Sequence, residues 1–300
     1  MPIVPIGPFD LTEPLARGGM GEVWLGEHRR SGVPVAVKVL TADGLGNPAL
    51  LDALRNEVRA VAGLDHPHIV WVYDQGLIDE RAERASMKRL TAGTPWLAME
   101  LAKGGTLSKH MKRLEWDLLR EVLLQLLDAL AHAHARGVLH RDIKPANVLF
   151  GGARPGLKLT DFGMVYAIEQ HAQPLRGSSA MSGGTPAYMA PEQILEQLED
   201  QGPWTDLYAL GCMAWTLTCR RRPYPGTSAS AVLNGHLESE IPRLTPAFSV
   251  PEGFEDWIRR LMTKNPGDRY RRAADAAWAL AQLGEAARQR EATTPSGPGP

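Results

Sequence analysis

His140-Arg141-Asp142-Ile143-Lys144-Pro145-Ala146-Asn147 sets a carboxylate, an amine and an amide two and three residues apart in one short polar segment. A run of helical period precedes it, with Leu119, Leu123, Leu126, Leu127 and Leu130 between Trp116 and Arg136 and Gly137 as its close. The strand-like Val148-Leu149-Phe150 follows, and Asp161-Phe162-Gly163 comes nineteen residues after Asp142. A base, a cation, an oxygen ligand and a second carboxylate are the set that metal-assisted transfer of a phosphoryl group uses.

Upstream, residues 9–40 alternate apolar and polar between turn residues, which predicts antiparallel strands. Ala16-Arg17-Gly18-Gly19-Met20-Gly21-Glu22-Val23 reads as a glycine-rich hairpin tip, where a backbone can approach a phosphate and offer it N–H groups. Pro34–Leu40 is the third strand. Alternation puts Ala36 and Lys38 on one face and Val35, Val37 and Val39 on the other, so Lys38 can reach beneath the hairpin. A helix follows, capped by Asn47 with Pro48 in its first turn and Leu50, Leu51, Leu54, Val58 and Val61 on its apolar face. Glu57 borders that face and wants a cation, for which Lys38 is the specific candidate. Val70–Tyr73 is strand-like. Asp79–Thr94 carries mixed charges and reads as a solvated hairpin loop, with docking as the alternative. After the apolar strand Trp96–Leu101, Lys103-Gly104-Gly105-Thr106 marks a boundary between a strand lobe and a helical lobe.

Downstream, Val148–Phe150 and Leu157–Leu159 form a ribbon. Residues 164–184 have no period and hold Ser178, Ser179 and Ser182; long aperiodic segments are usually functional or disordered. Asp206–Cys219 is apolar all round, as a helix buried at a domain centre would be. Asp206 opens it, as an acid that can bond to neighbouring backbone N–H groups, as a first-turn acid favoured by the helix dipole, or as both. Two more helices are expected, 254–264 and 273–284, before a linker-like tail over 286–300.

Composition narrows the class. The chain has 300 residues, 44% hydrophobic and 22% charged, with a net charge of −1. Nothing there points to nucleic acid or a membrane as partner. The opening MPIVPIGPFD lacks a basic start and a long apolar core, and no run of about 18 apolar residues occurs. Cys212 and Cys219 lie seven apart in an apolar run, which argues for a reducing, cytoplasmic setting over a disulfide or zinc site.

The ordered set resembles the eukaryotic-type Ser/Thr protein kinases of bacteria. Glycine loop, Val35-Ala36-Val37-Lys38, the helix glutamate, His140–Asn147, Asp161-Phe162-Gly163, Gly184-Thr185-Pro186-Ala187-Tyr188-Met189-Ala190-Pro191-Glu192, Asp206-Leu207-Tyr208-Ala209-Leu210-Gly211 and the late Arg269 appear in the family's order over residues 9–285. The resemblance implies an α+β bilobal kinase fold over 1–285. Its small antiparallel lobe would span 9–101 with one main helix, its hinge 100–103 and its larger helical lobe 104–285. ATP would sit between the lobes.

It further implies that Lys38 contacts the α- and β-phosphates and is oriented by Glu57. Asp142 would accept the substrate hydroxyl proton, Lys144 would neutralise the γ-phosphate, and Asn147 and Asp161 would hold Mg2+ or Mn2+. Thr185 would bridge to Asp142 and Lys144, and Glu192 would pair with Arg269. Ala16, Gly18 and Gly21 would cradle the phosphates. Val23, Ala36 and Leu149 would sandwich adenine, with Met99 as gatekeeper and Glu100 and Ala102 bonding it through the backbone. Val61, Val72, His140 and Phe162 would form the stack that links the lobes, with His140 a packed core residue.

Three departures temper the match. Ala16 replaces the first loop glycine, so a modest change in nucleotide affinity is expected. Val165-Tyr166 stands where a basic partner for an activation-loop phosphate, received by Arg141, is often found. Thr106 and Ala146 replace acids that select basic residues before the target site. The expected partners are protein substrates and a transient second copy for autophosphorylation at Ser179, then Ser178 and Ser182. The alternative is a pseudokinase, an ATP-binding scaffold.

Overall fold

Val35, Val37 and Val39 turn one way from their strand and Ala36 and Leu40 the other, and each set enters its own apolar cluster. The computed structural model describes residues 3–18, 21–40, 60–154, 156–162 and 186–283. The last turn of the helix expected from Asn47, 60–62, is helical and buries Val61. Residues 41–59, with the rest of that helix and Glu57 upon it, lie outside the described residues. So do Gly163, Val165-Tyr166, Ser178, Ser179, Ser182, Thr185 and the tail.

The strands are β1 (Val4–Ile6), β2 (Phe9–Gly18), β3 (Gly21–His28), β4 (Pro34–Leu40), β5 (Val72–Leu77) and β6 (Pro95–Glu100). They form one sheet in the order β1-β2-β3-β4-β6-β5, with every neighbouring pair antiparallel. One face buries Leu11, Trp24, Val37 and Trp96 with β1, which the sequence pattern from residue 9 had not included. β5 begins two residues later than expected, because Val70 gives its N–H to the Leu159 carbonyl, at the edge of the ribbon of β7 (Val148–Phe150) and β8 (Leu157–Leu159).

Asp79–Thr94 is not a solvated hairpin loop. It contains helix α1 (Glu80–Ala85), capped by Asp79, whose carboxylate accepts the Ala82 N–H at 2.7 Å. Its charges line the outer side, while Ile78, Ala82 and Leu90 bury into the core on the Trp24 face of the sheet. Those three apolar residues are too sparse among the charges to announce a helix.

The remaining long helices are α2 (Trp116–His134), α3 (Pro203–Cys219), α4 (Ala229–Glu238), α5 (Phe254–Leu261) and α6 (Ala273–Gln282). α3 starts three residues before Asp206, since Pro203 supplies a preset φ and Thr205 Oγ1 accepts the Gly202 N–H at 3.1 Å. All its residues from Thr205 on are buried, and each such leucine contributes about 1.5–3 kcal/mol. Asp206 is buried too and meets His134 Nε2 at 2.8 Å through its carboxylate, a partner that neither first-turn reading anticipated. α4 was not expected. Ser228 caps it, but Asn234, Gly235 and His236 interrupt the apolar period that would have marked it.

The chain clusters into two compact units, Met1–Leu107 with Ala135–Thr185, and Ser108–His134 with Pro186–Pro300. The first carries the sheet with α1 and the second carries α2 to α6, an α+β architecture. Among the described residues no helix is long and apolar enough to cross a membrane.

Candidate active site

The segment 140–147 is held by its own side chains. His140 is fully buried; its Nε2 lies 2.8 Å from the Thr160 carbonyl and its Nδ1 accepts the Asp142 N–H at 3.2 Å. Both nitrogens are engaged, which fixes the Nε2–H tautomer and leaves no lone pair for base chemistry. The ring also packs on Phe162, with centroids 4.5 Å apart. Arg141 and Asp161 adopt φ of 63° and 66°, left-handed conformations that non-glycine residues seldom hold and that cluster at functional sites.

Asp142 Oδ2 accepts from Lys144 Nζ at 2.6 Å and from Asn147 Nδ2 at 2.9 Å. Among the described residues Oδ1 takes no hydrogen bond, so one carboxylate oxygen stays available to a hydroxyl. Asn147 Nδ2 also donates to the Asp142 carbonyl at 2.8 Å, which commits both amide protons and leaves Oδ1 as a donor atom. Lys38 Nζ donates to Asp161 Oδ1 at 2.8 Å across 123 residues of sequence. Partial burial disfavours the charged form of Asp161, but the Lys38 ammonium, helped by His140 and Lys144, outweighs it and holds the carboxyl below the usual range. Asn147 Oδ1 and the Asp161 carboxylate are hard oxygen donors. Few protein ligands is what a magnesium-type ion completed by phosphates and water requires. No cluster of three or more His, Cys, Asp or Glu at metal spacing occurs among the described residues.

The residues expected to face a nucleotide also meet. Ala36 and Met99 lie in one apolar cluster with Val70 and Leu97, and Val23, Val72, Leu101 and Leu149 pack against it. In the glycine hairpin Gly18 pairs with Gly21. Gly21 has φ 148°, and a Cβ there would collide with the Val39 carbonyl, so no other residue fits. Ala16 is not among the residues with positive φ, so its strand position does not demand the glycine it replaces.

Glu100 gives its N–H to the Trp71 carbonyl at 2.9 Å. Its buried carboxylate meets Lys158 Nζ at 3.0 Å and the N–H groups of Trp71 and Ala153 at 2.9 and 2.6 Å. Any adenine contact of Glu100 is therefore through its carbonyl. Lys158 was missed: a lysine between Leu157 and Leu159 looks surface-facing, and its partner lies 58 residues away.

In the second unit, Pro186–Glu192 is pinned by Arg269. Its Nη1 and Nη2 reach the two Glu192 oxygens at 2.7 and 2.9 Å, and Nε donates to the Thr263 carbonyl at 2.7 Å. Sequence reasoning missed the network beside it, where Tyr208 Oη lies 2.9 Å from His236 Nδ1 and Lys264 Nζ donates to the His236 carbonyl at 2.6 Å.

The sequence matches the protein kinase domain family over residues 9–278. It is 35% identical over 280 residues to the serine/threonine-protein kinase PknA of Mycobacterium tuberculosis, covering 92% of this chain and 61% of PknA. It is 37% identical over 269 residues to the serine/threonine-protein kinase Pkn1 of Myxococcus xanthus, covering 88% of this chain and 36% of Pkn1. The chain thus spans about three fifths or less of these relatives' length. The crystal structure of the Mycobacterium tuberculosis PknI kinase domain superposes with a TM-score of 0.66 at 24% identity over 94% of this chain and 98% of that one, a likeness of fold.

Proposed function

This chain belongs to the protein kinase domain family, and from that premise we propose that it is an ATP-dependent serine/threonine protein kinase. The observation that carries the reading is the assembly of Lys38, Asp161, Asp142, Lys144 and Asn147 in one unit, with Asp142 Oδ1 taking no hydrogen bond among the described residues. We read residues 1–285 as one kinase domain, with the small lobe over 9–101, the hinge over 100–103 and the larger lobe over 104–285.

In the proposed reaction Asp142 Oδ1 takes the proton of a serine or threonine hydroxyl as its oxygen bonds to the γ-phosphorus. The bond from that phosphorus to the β–γ bridging oxygen breaks, and ADP leaves. Lys144 neutralises the transferred group, and Lys38, oriented by Glu57, holds the α- and β-phosphates. Asn147 Oδ1 and the Asp161 carboxylate would hold a divalent ion, Mg2+ or Mn2+, whose charge would offset that of the phosphates. Gly18 and Gly21, with Ala16, would line the phosphates; Val23, Ala36, Met99 and Leu149 would enclose adenine, bonded by the backbone of Glu100 and Ala102. Thr185 and the Glu192–Arg269 anchor would serve the peptide substrate. Autophosphorylation, through a transient pair of copies, would fall on Ser179, Ser178 or Ser182. Two free, buried cysteines, with the Cys212 thiol pushed by burial to about 12, support a cytoplasmic setting.

The test is incorporation of label from γ-labelled Mg-ATP into the chain itself and into a generic protein substrate. Asp142→Asn is expected to lower the rate about 10²- to 10⁴-fold, the span of a general base, and to erase phosphopeptides over 178–182. Normal nucleotide binding without any incorporation by the unaltered chain would overturn the reading.

A further inference from the structure

The mixed-charge segment 79–94 ends on the hairpin that would cradle the nucleotide. Arg89 grips Glu22 with two nitrogens, Nε to Oε2 at 3.1 Å and Nη2 to Oε1, and its guanidinium lies 4.9 Å from the centroid of the Trp24 ring. Glu22 directly follows Gly21 and pairs with Arg17 on β2 and Val39 on β4. Strand alternation puts Glu22 and Trp24 on one face of β3 and Val23 on the other, where it packs on the cluster of Ala36 and Met99. Arg89 thus holds the back of the strand whose front faces the nucleotide cluster.

The grip is itself anchored. Asp79 caps α1, and Ile78, Ala82 and Leu90 fix the segment in the sheet core. The chain turns through left-handed Met87 and Lys88, with φ of 56° and 63°. Arg89 N–H bonds the Ser86 carbonyl and Leu90 N–H the Ser86 hydroxyl at 3.0 Å, which sets the side chain over Trp24. A bidentate fork stacked on an indole is a geometry that arginine makes and lysine does not.

We propose that Arg89 is a positioning residue for the nucleotide. Through Glu22 it fixes the stem of the glycine hairpin, and residues 79–94 are a brace on that hairpin. The inference rests on the nucleotide-binding reading given above.

The test uses the full chain: affinity for a fluorescent ATP analogue with Mg2+, KM for ATP and for protein substrate, and Tm. Arg89→Gln is expected to weaken nucleotide affinity and raise KM for ATP about 5-fold, leaving KM for protein substrate unmoved. Its Tm should stay within about 2 °C of the unaltered chain. Arg89→Lys, which keeps the charge and loses the fork, should lose about 2- to 3-fold. The exchange Glu22→Arg with Arg89→Glu should recover most of the loss, and Arg84→Gln, on the exposed side of α1, should change nothing. Unchanged affinity in Arg89→Gln, an equal loss in Arg84→Gln, or a fallen Tm with affinity intact would overturn the proposal. If the unaltered chain binds no nucleotide, the kinase reading fails first and takes this inference with it.

Discussion

Two carboxylate–cation pairs, one in each unit, show how the same chemistry serves different ends. Arg269 and Glu192 are almost wholly buried, with side-chain exposures of 0% and 1%. Arg269 spends all five of its N–H donors, two on Glu192 and one each on the carbonyls of Thr263, Trp204 and Lys264. Glu192 Oε1 takes the Thr205 hydroxyl as well, at 2.8 Å. Lys38 and Asp161 meet through a single contact of 2.8 Å, Asp161 is 27% exposed, and its backbone is held left-handed. A saturated pair fixes structure; a pair with coordination to spare, held in a strained backbone, suits ligands that come and go.

The comparison breaks first at Arg269. Arg269→Met leaves the Glu192 carboxylate buried and three carbonyls without their donor. Breaking such a pair costs about 3–5 kcal/mol, so unfolding by urea should show a loss of that size. Glu192→Gln keeps one acceptor for Arg269 and should cost less, about 1–3 kcal/mol. A change below 1 kcal/mol in both would mean that the pair is not what fixes Pro186–Glu192.

At Lys38 the balance should invert. Lys38→Met fills the same space, and Asp161 retains solvent, so the stability loss should stay near 1 kcal/mol. Loss of a preorganised cation at transferring phosphates should instead lower kcat about 10²- to 10³-fold. Phosphate incorporation and urea unfolding on one preparation separate the two effects. A stability loss as large as that of Arg269→Met would erase the contrast.

Much of this was legible in the sequence, and the failures share a cause. Period-2 alternation named the strands β2 to β4 and which face Lys38 takes, because the pleat alone sets it. Short fixed spacings named Asp142, Lys144 and Asn147, which do come together. What failed depended on partners far along the chain. Lys158 drew no reading, since its partner Glu100 lies 58 residues away, and Asp206 does sit in the first turn of α3, but its contact with His134, 72 residues away, was not anticipated. The charges of 79–94 hid Ala82, Leu90 and a cap, whose burial with the preceding Ile78 only the assembled sheet explains. Buried charge is decided by long-range pairing, and periodicity carries no information about that.

The finest test of the contrast is acid titration of the Lys38–Asp161 pair. Burial raises the Asp161 carboxyl and Lys38 outweighs it, so the folded value lies below the unfolded one of about 4. A carboxyl lowered by folding adds stability that is fully present above its unfolded value and drains away as pH falls through its folded value. In Lys38→Met only the weaker pull of His140 and Lys144 still opposes burial, so the folded value rises. The variant then lacks at neutral pH the stability that the pair gives the unaltered chain, and the difference drains away as pH falls below the unfolded value of about 4. Unfolding free energies from pH 7 to pH 2.5 should therefore show a gap of about 1 kcal/mol at neutral pH that closes with acid. The same series on Arg84→Gln, whose pair with Glu80 is exposed on both sides, should run parallel to the unaltered chain. A gap for Lys38→Met that held constant to pH 2.5 would show that Lys38 stabilises by packing alone and that Asp161 owes it no charge.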